Sequence, residues 1–241
     1  MNDLQLVKTL EKAKSTVFST QQLSVILGRD LASATVRLNR LVNKGVLIRI
    51  IRGYYSLPSS NVLSLASNMY SPSYISLYSA FEYYGTTTQS PKTIDVINTI
   101  TSKKISLSIE SGDFGIRFIK TKPLMMFGYK KINQNGKEIT IAEKEKSIID
   151  GLLFSEYVPL DEIYSCIVSG IDYKKTIEYA KKTKRQTVLK RLGYLLSYAG
   201  IKCSINQFSK LSDTYIPLDP RLPRRGNYDK KWRVIVNTVV E

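Results

Sequence analysis

The spacing of apolar residues predicts two helices at the start of the chain. The first helix has its apolar residues at helical spacing, namely Leu4, Val7, Leu10 and Ala13. A second helix follows Ser19, an N-cap residue with Gln22 three positions later, as in a capping box. We expect it to span residues 20–27 and to end at Gly28, because glycine readily adopts the left-handed conformation of a helix end.

A third helix and a hairpin complete this N-terminal pattern. The third run of apolar residues extends from Leu31 to Lys44, after a tight turn at Arg29 and Asp30. Its predicted buried face consists of Leu31, Ala34, Leu38, Leu41 and Val42. Gly45 ends the helix, and residues 46–57 alternate between apolar and polar as two paired strands would. Residues 1–57 are therefore predicted to form a winged helix-turn-helix.

The outward positions of this domain are basic. Residues 31–57 contain five basic residues and no acidic one, a charge field that suits phosphate groups. A helix of this width fits the major groove of DNA, where arginine can pair with guanine through two hydrogen bonds. The candidate DNA-binding residues are Ser33, Val36, Arg37, Arg40, Lys44, Arg49, Arg52 and Tyr54.

These residues receive different predicted roles. Arg37 and Arg40 should read bases, whereas Arg49, Arg52 and Tyr54 near the hairpin tip should contact the DNA backbone or the minor groove. Ser33 and Val36 could equally be ordinary exposed helix residues. A protein-interaction module is the alternative function for the domain as a whole.

The remaining chain mixes helices with a small sheet. We expect a buried helix over Ser73–Tyr84, whose four tyrosines either pack in the core or form a base-stacking platform, with packing favoured. Alternation of period two between Lys92 and Ala142 predicts several strands, and Asn135-Gly136 predicts a hairpin turn. Further helices are expected over the ranges 143–154, 161–170, 173–183 and 186–199.

The predicted fold class is α+β. It comprises an N-terminal winged helix-turn-helix over 1–57, a linker or bridging helix over 58–71, and a larger mixed domain over 72–241 with a small sheet and several helices, which could subdivide near residue 155. A chain of 241 residues is long enough to bury a core in this second part.

Positive charge extends beyond the N-terminal domain. The formal net charge is +16, and residues 172–191 hold eight basic residues against two acidic ones. These residues could extend the contact with DNA or bind an RNA target, and a solvated helix face is the alternative. The candidate second basic surface is Lys174, Lys175, Lys181, Lys182, Lys184 and Arg185.

Composition argues against an enzyme. The chain has no histidine, which excludes Ser-His-Asp and Cys-His nucleophiles and histidine-bearing zinc sites. Its cysteines, Cys166 and Cys203, are far apart in apolar surroundings and are expected to be buried free thiols. The carboxylates of the predicted sheet region show no spacing diagnostic of a metal-dependent nuclease. We therefore expect no catalytic residue, metal or cofactor, and a soluble cytoplasmic protein without a membrane span.

Five stretches resemble one family of regulators. They are LNRLVNKGVLIRI (38–50), PSYISLYSAFEYYG (72–85), EKEKSIIDGLL (143–153), KRLGYLL (190–196) and GNYDKKWRVIVN (226–237). Their order resembles that of the AbiEi-like antitoxins, the transcriptional-regulator half of abortive-infection AbiE toxin–antitoxin systems. No single stretch is decisive, but the ordered combination spans nearly the whole chain.

The resemblance implies a repressor that binds inverted repeats of double-stranded DNA in its own promoter. It also implies a larger domain that counteracts a nucleotidyltransferase-like toxin without forming a stable complex, as in type IV systems. The alternative is a winged-helix transcription factor that senses a ligand or dimerises and has no toxin partner. The operator sequence and the oligomeric state do not follow from the residues.

Overall fold

A computed structural model describes residues 1–88, 92–208 and 210–240. The α-helices of this part of the chain are α1 (Asp3–Lys12), α2 (Thr20–Leu27), α3 (Leu31–Asn43), α4 (Val62–Asn68), α5 (Leu77–Tyr83), α6 (Lys144–Leu153), α7 (Leu160–Val168), α8 (Tyr173–Thr183) and α9 (Gln186–Tyr198). Its strands are β1 (Phe18–Ser19), β2 (Ile48–Ile51), β3 (Tyr54–Ser56), β4 (Ser73–Ile75), β5 (Thr93–Asn98), β6 (Lys103–Ile109), β7 (Gly112–Lys120), β8 (Tyr129–Gln134), β9 (Lys137–Ala142), β10 (Ile216–Pro217), β11 (Asn227–Asp229) and β12 (Val234–Val236). The fold is mixed α+β, as predicted.

The chain divides into two compact units. The first contains residues 1–75, 92–121 and 130–141, and the second contains residues 76–91, 122–129 and 142–241. In this division α4 and most of the central sheet share a unit with the winged helix. Strands distant in the sequence complete this unit, so a local change in composition could not mark its limits.

The winged helix in the first unit has its own hydrophobic core. Helices α1, α2 and α3 and strands β1–β3 enclose buried apolar residues between Leu6 and Leu57. The three strands form an antiparallel sheet in the order β1-β3-β2. Leu38 is fully buried, whereas Leu31, predicted to share its face, is 50% exposed because it occupies the first turn of α3.

A lysine side chain connects the winged helix to the rest of the first unit by hydrogen bonds. The Nζ atom of Lys137, on β9, donates to the carbonyl oxygens of Glu11 at 2.7 Å and Ala13 at 2.9 Å. These carbonyls lie at the C-terminal end of α1, where the helix dipole favours a cation. The hydroxyls of Thr16 and Ser64, 3.0 Å apart, add a buried contact to α4.

The six-stranded sheet of the first unit has the order β6-β7-β5-β4-β9-β8. It is mixed, since β5 and β7 are parallel while β6 and β7 are antiparallel. The turn between β8 and β9 has positive φ at Asn135 (53°) and Gly136 (77°), as expected of this pair in a tight turn.

The predicted helix over Ser73–Tyr84 is wrong in its first part. Ser73–Ile75 form strand β4, which pairs with β5 and β9, and the helix starts only at Leu77. Leu77 has a φ of 56°, which marks the change of direction. A short apolar run cannot distinguish a buried strand from a helix, so pairing with distant strands decided this segment.

The tyrosines of this stretch mostly pack, as favoured above. Tyr74 is fully buried in β4. The hydroxyl of Tyr84 donates to the carbonyl oxygen of Ala142 at 2.9 Å. Tyr83 is exposed, with its ring edge-on to that of Tyr84 at 5.2 Å.

Helices α5–α9 build the second unit around a buried ion pair on α6. Lys146 and Asp150 lie one turn apart, are fully buried and form a salt bridge. Asp150 also accepts a hydrogen bond from Ser76 at 2.8 Å, and the Lys146 ammonium lies 4.6 Å from the ring centroid of Phe127. A buried charge needs such compensation because removing it from water is costly.

A three-stranded sheet, β10-β12-β11, packs beside α9. The indole of Trp232, just before β12, is buried against Gly193 of α9 and donates to the Ser197 hydroxyl at 2.9 Å. Cys166 and Cys203 are buried free thiols, as predicted, and burial raises the pKa of Cys166 to about 11. None of the described helices is long and apolar enough to cross a membrane.

Candidate nucleic-acid interface

Helix α3 presents the outer face of the helix-turn-helix. Gly28 ends α2 in the left-handed conformation (φ 60°), and Asp30 then caps α3 by accepting a hydrogen bond from the backbone N–H of Ser33 at 3.0 Å. Ala34, Leu38 and Leu41 bury the inner face. The caps and the core together set which side chains of α3 face outward.

Arg37 of α3 and Lys44, the C-cap residue of this helix, are already bound within the protein. Arg37 donates to the carbonyl oxygen of Met1 at 2.7 Å and to the Asp3 carboxylate at 3.3 Å, which leaves its side chain 21% exposed. Lys44 contacts the other oxygen of Asp3 at 3.2 Å. The hydrogen bond from Lys44 and the charge of Arg37 lower the pKa of Asp3, so this carboxylate is ionised at neutral pH.

Arg40 differs from Arg37. It lies on the same outward face and is exposed, with no side-chain hydrogen bond or ion pair among the described residues. Its guanidinium therefore keeps its donors for an external acceptor. Of the two predicted base-reading arginines, Arg40 is the one whose surroundings suit that role without rearrangement.

The outward residues of α3 surround one shallow cleft of about 430 Å³. Ser33, Val36, Arg37, Arg40 and Lys44 all line it, so the structure brings these five predicted residues together. Three further residues line the cleft: Leu41, which was predicted for the buried face, and Asp3 and Arg29, which were not predicted. Arg29 lies in the turn immediately before the α3 cap, a position that could have signalled it, whereas Asp3 becomes part of the site only through the packing of α1 on α3.

Exposed apolar residues accompany these charges. Val36 is exposed, and so are Leu31 on α3 and Val25 on α2. Small apolar groups on a helix that enters the major groove can contact the methyl group of thymine. Leu31 was predicted to be buried, and its exposure corrects that prediction.

The remaining predicted residues lie in the wing, which consists of β2, β3 and the turn between them. Gly53 (φ 81°) forms the turn between β2 and β3, and Thr20 at the start of α2 donates its backbone N–H to the Gly53 carbonyl at 2.9 Å. Arg52 and Tyr54 flank the turn and are exposed. Arg49 instead contacts α3, because it donates a hydrogen bond to the side chain of Asn39. Its guanidinium also lies 5.6 Å from the ring centroid of Tyr55 on β3.

The predicted second basic surface lies along α8 and its C-terminal end in the second unit. Lys175 is engaged there by Glu143 at 3.1 Å and Glu145 at 3.7 Å, and Lys182 lies 5.2 Å from the ring centroid of Tyr179. Lys184 adopts a left-handed conformation (φ 54°) at the helix end. The residues of this surface that are exposed are Lys174, Lys181, Lys182, Lys184 and Arg185.

Four of the carboxylates considered for a metal-dependent nuclease, Asp95, Glu138, Glu143 and Glu145, have basic partners. Asp95 contacts Arg117 at 2.7 Å and Glu138 contacts Lys131 at 2.7 Å, while Lys175 contacts Glu143 as described. No group of three or more Asp, Glu, His or Cys side chains that could hold a metal ion occurs within the described residues.

Comparison with known proteins supports the N-terminal assignment. Residues 5–58 match the model of a family described as "Transcriptional regulator, AbiEi antitoxin". A search of curated protein sequences finds no match.

The fold also has a counterpart among solved structures. The crystal structure of the RV2827C protein from Mycobacterium tuberculosis aligns with a TM-score of 0.63 at 12% sequence identity. The alignment covers 96% of this chain and 89% of that one. At this identity the likeness concerns the fold alone.

The matched segment coincides with the helices, turn and wing described above. The family supports a role as an antitoxin or transcriptional regulator. The predicted resemblance to the AbiEi antitoxin regulators is thus confirmed, over residues 5–58.

Proposed function

We propose that this protein is a sequence-specific DNA-binding antitoxin that represses its own toxin–antitoxin operon. The observation that carries the proposal is the cationic outer face of α3, with Arg40 exposed at its centre, on a segment that matches a family of antitoxin regulators. In this proposal α3 enters the major groove of double-stranded DNA at inverted repeats in the promoter. Arg52 and Tyr54 of the wing contact the adjacent backbone or minor groove.

The pairing of Asp3 with Arg37 and Lys44 adds a step to binding. Phosphate oxygens can replace the Asp3 carboxylate and the Met1 carbonyl as acceptors for these two cations. Arg37 would contact bases only after its hydrogen bonds to Met1 and Asp3 are broken, whereas the exposed Arg40 can contact bases directly. Sequence preference should accordingly depend more on Arg40 than on Arg37.

The second part of the proposal concerns the toxin. The larger part of the chain would counteract a nucleotidyltransferase-like toxin without a stable complex, and the protein would act in the cytoplasm without catalytic activity, metal or cofactor. Co-expression with the product of a neighbouring nucleotidyltransferase-like gene tests this, because rescue of growth distinguishes an antitoxin from a plain transcription factor. Incubation of nucleic acids with the purified protein, in the presence of magnesium or of manganese, should produce no cleavage.

The first experiment measures DNA binding by fluorescence anisotropy at two salt concentrations. Two labelled duplexes are each titrated with the purified protein. One has the DNA sequence upstream of the protein's own gene, and the other has a scrambled sequence of the same composition. We expect a preference for the upstream duplex of about a thousandfold or more that persists at the higher salt. Equal and salt-sensitive binding to both duplexes would refute sequence-specific repression.

A further inference from the structure

A second basic cleft lies in the C-terminal part of the second unit. It has a volume of about 580 Å³, and four of the nine residues that line it are cationic, against one carboxylate. The cations are Lys210, Lys230, Lys231 and Arg233, and the carboxylate is Asp213. The cleft is outside both the winged helix and the basic surface of α8.

The cations of this cleft differ in how strongly other groups of the protein already bind them. Lys231 donates to the carbonyl oxygen of Cys203 at 3.2 Å and lies 5.0 Å from the Trp232 ring centroid, so it is held at the wall. Arg233 contacts Asp213 at 3.5 Å, but the Asp213 side chain is 98% exposed and is a weak competitor for a bound anion. Lys210 and Lys230 are exposed and have no side-chain hydrogen bond or ion pair among the described residues.

A buried lysine strengthens the positive potential beside the cleft. The Nζ atom of Lys190 is fully buried and donates to the Ser212 hydroxyl at 2.9 Å and to the Thr214 carbonyl oxygen. No carboxylate lies within salt-bridge distance of it in the part of the chain that the structure describes. Burial and the nearby charge of Arg233 lower the pKa of Lys190 while the charge of Asp213 raises it, which places these three groups in one electrostatic neighbourhood. An anion bound near Arg233 would offset both positive charges.

An aromatic surface adjoins these cations. Tyr215 precedes β10 and Tyr228 lies in β11, and their ring centroids are 5.0 Å apart. The guanidinium carbon of Arg233 lies 5.7 Å from the Tyr215 centroid, and its Nη1 donates to the Tyr215 hydroxyl at 3.3 Å. Tyr228 is 60% exposed, so its ring is open to solvent. An exposed aromatic ring beside cations, here Tyr228 on β11, is the combination that binds unpaired bases and their phosphates.

We propose that this cleft and the adjoining tyrosines form a binding site for single-stranded nucleic acid. Lys210, Lys230 and Arg233 contact phosphates, and a base stacks on Tyr228. A duplex fits this arrangement less well, since its bases are already stacked on one another and cannot lie flat on the tyrosine. RNA and DNA single strands share the chemistry that the site recognises.

The test uses the full-length protein and fluorescein-labelled oligonucleotides of about 12 nucleotides, within the span that single-strand sites cover. The probes are an RNA, the corresponding single-stranded DNA and the corresponding duplex. We expect Tyr228→Ala to weaken single-strand binding about tenfold and to leave duplex binding unchanged, because the stacking of the base on the ring is abolished. Tyr228 is exposed, and circular dichroism checks that the variant remains folded.

A charge variant tests the phosphate contacts. The double substitution Lys210→Gln and Lys230→Gln should reduce the slope of log K against log salt for single strands by about 1.4, since each phosphate contact contributes about 0.7. The matched control, Lys120→Gln with Lys122→Gln, removes the same charge from exposed lysines of the β7 region. It should leave the slope unchanged.

Three results would overturn the proposal: no single-strand binding by the unsubstituted protein, unchanged affinity in Tyr228→Ala, or equal effects of the two double substitutions. Preference for the RNA over the DNA strand, or the reverse, would identify the source of the ligand and support the site. The site is independent of promoter recognition. Arg40→Ala should therefore retain single-strand binding, and failure of the repressor proposal would leave this one standing.

Discussion

At the scale of single residues, partners rather than residue type distinguish the basic side chains of α3. Arg37 and Arg40 are one helical turn apart and equivalent in the sequence pattern. Arg37 is held by Met1 and Asp3, however, while Arg40 is exposed. The same residue type therefore offers different chemistry at two neighbouring positions.

The first prediction concerns these positions. Arg40→Ala should weaken binding to the promoter duplex by about 1 to 3 kcal/mol and reduce the preference over scrambled DNA, because in our proposal Arg40 forms a bidentate bond to a base. Lys44→Ala, the comparison variant, should weaken binding to all duplexes alike, because we propose that Lys44 contacts phosphate rather than a base. Anisotropy titrations with both duplexes make the measurement. Equal losses on every duplex for Arg40→Ala would contradict the base-reading role.

A second residue-scale prediction concerns pH. Burial opposes ionisation of Asp219, but hydrogen bonds from Arg221, as short as 2.6 Å, hold the pKa of Asp219 below its ordinary value of 3.8. The ionised pair therefore stabilises the fold above about pH 4, and this stabilisation is lost as the pH falls through the depressed pKa. Arg221→Gln should lower the free energy of unfolding at pH 6, with a difference from the unsubstituted protein that narrows towards pH 3.

Urea unfolding at several pH values measures this difference. Arg225→Gln removes the same charge at an exposed position and serves as the control. A difference for Arg221→Gln that stays constant from pH 6 to pH 3 would show that the Asp219 pair is not its cause.

At the scale of elements, close packing imposes residues that helix propensity disfavours. Gly193 lies in the middle of α9, where alanine would ordinarily be about 1 kcal/mol more favourable. A Cβ atom at this position would lie 2.2 Å from the Trp232 ring. The glycine therefore allows the indole to lie directly on the helix backbone.

The third prediction follows from this packing. Gly193→Ala should destabilise the protein by about 1 to 3 kcal/mol, because the buried indole must move. Thr187→Ala, at an exposed position of the same helix, should change stability little. The fluorescence of Trp232, the single tryptophan, follows the unfolding of this region in urea. An increase in stability for Gly193→Ala would show that the indole relaxes without cost.

At the scale of the whole molecule, a net charge of +16 favours electrostatic attraction to polyanions such as nucleic acids, whatever their sequence. General affinity and sequence preference have different origins, since phosphate contacts act on all sequences alike while base contacts discriminate. Both units carry exposed lysines and arginines, but in our proposal only the winged helix reads sequence.

The fourth prediction separates these contributions. Replacing Lys174, Lys181, Lys182 and Lys184 of the second basic surface by glutamine should leave the ratio of promoter to scrambled affinity unchanged, because in our proposal these lysines do not contact bases. The salt dependence then decides whether this surface touches DNA, since the slope falls by about 0.9 for each phosphate that the variant no longer neutralises. A lowered ratio would mean that this surface also contributes to sequence preference, and it would contradict the proposal that only the winged helix reads sequence.

The sequence by itself determined the elements that depend on neighbouring residues. The cap Ser19, the glycine stop at Gly28, the turn at Arg29 and Asp30 and the Asn135-Gly136 turn act within a few positions, and the helices from 144 onward begin and end close to their predicted limits. The one-sided charge of α3 and the wing is likewise visible in the residue order, as is the resemblance confirmed over residues 5–58.

The tertiary structure decided whatever depends on contacts between distant residues. Pairing with β5 and β9 made Ser73–Ile75 a strand, and the packing of α1 brought Asp3 to Arg37, 34 positions away. The basic cleft likewise combines Lys210 with Lys230 and Arg233, which no local spacing connects. Periodicity and capping are short-range effects, whereas pairing, burial and the availability of a charge are set by neighbours in space.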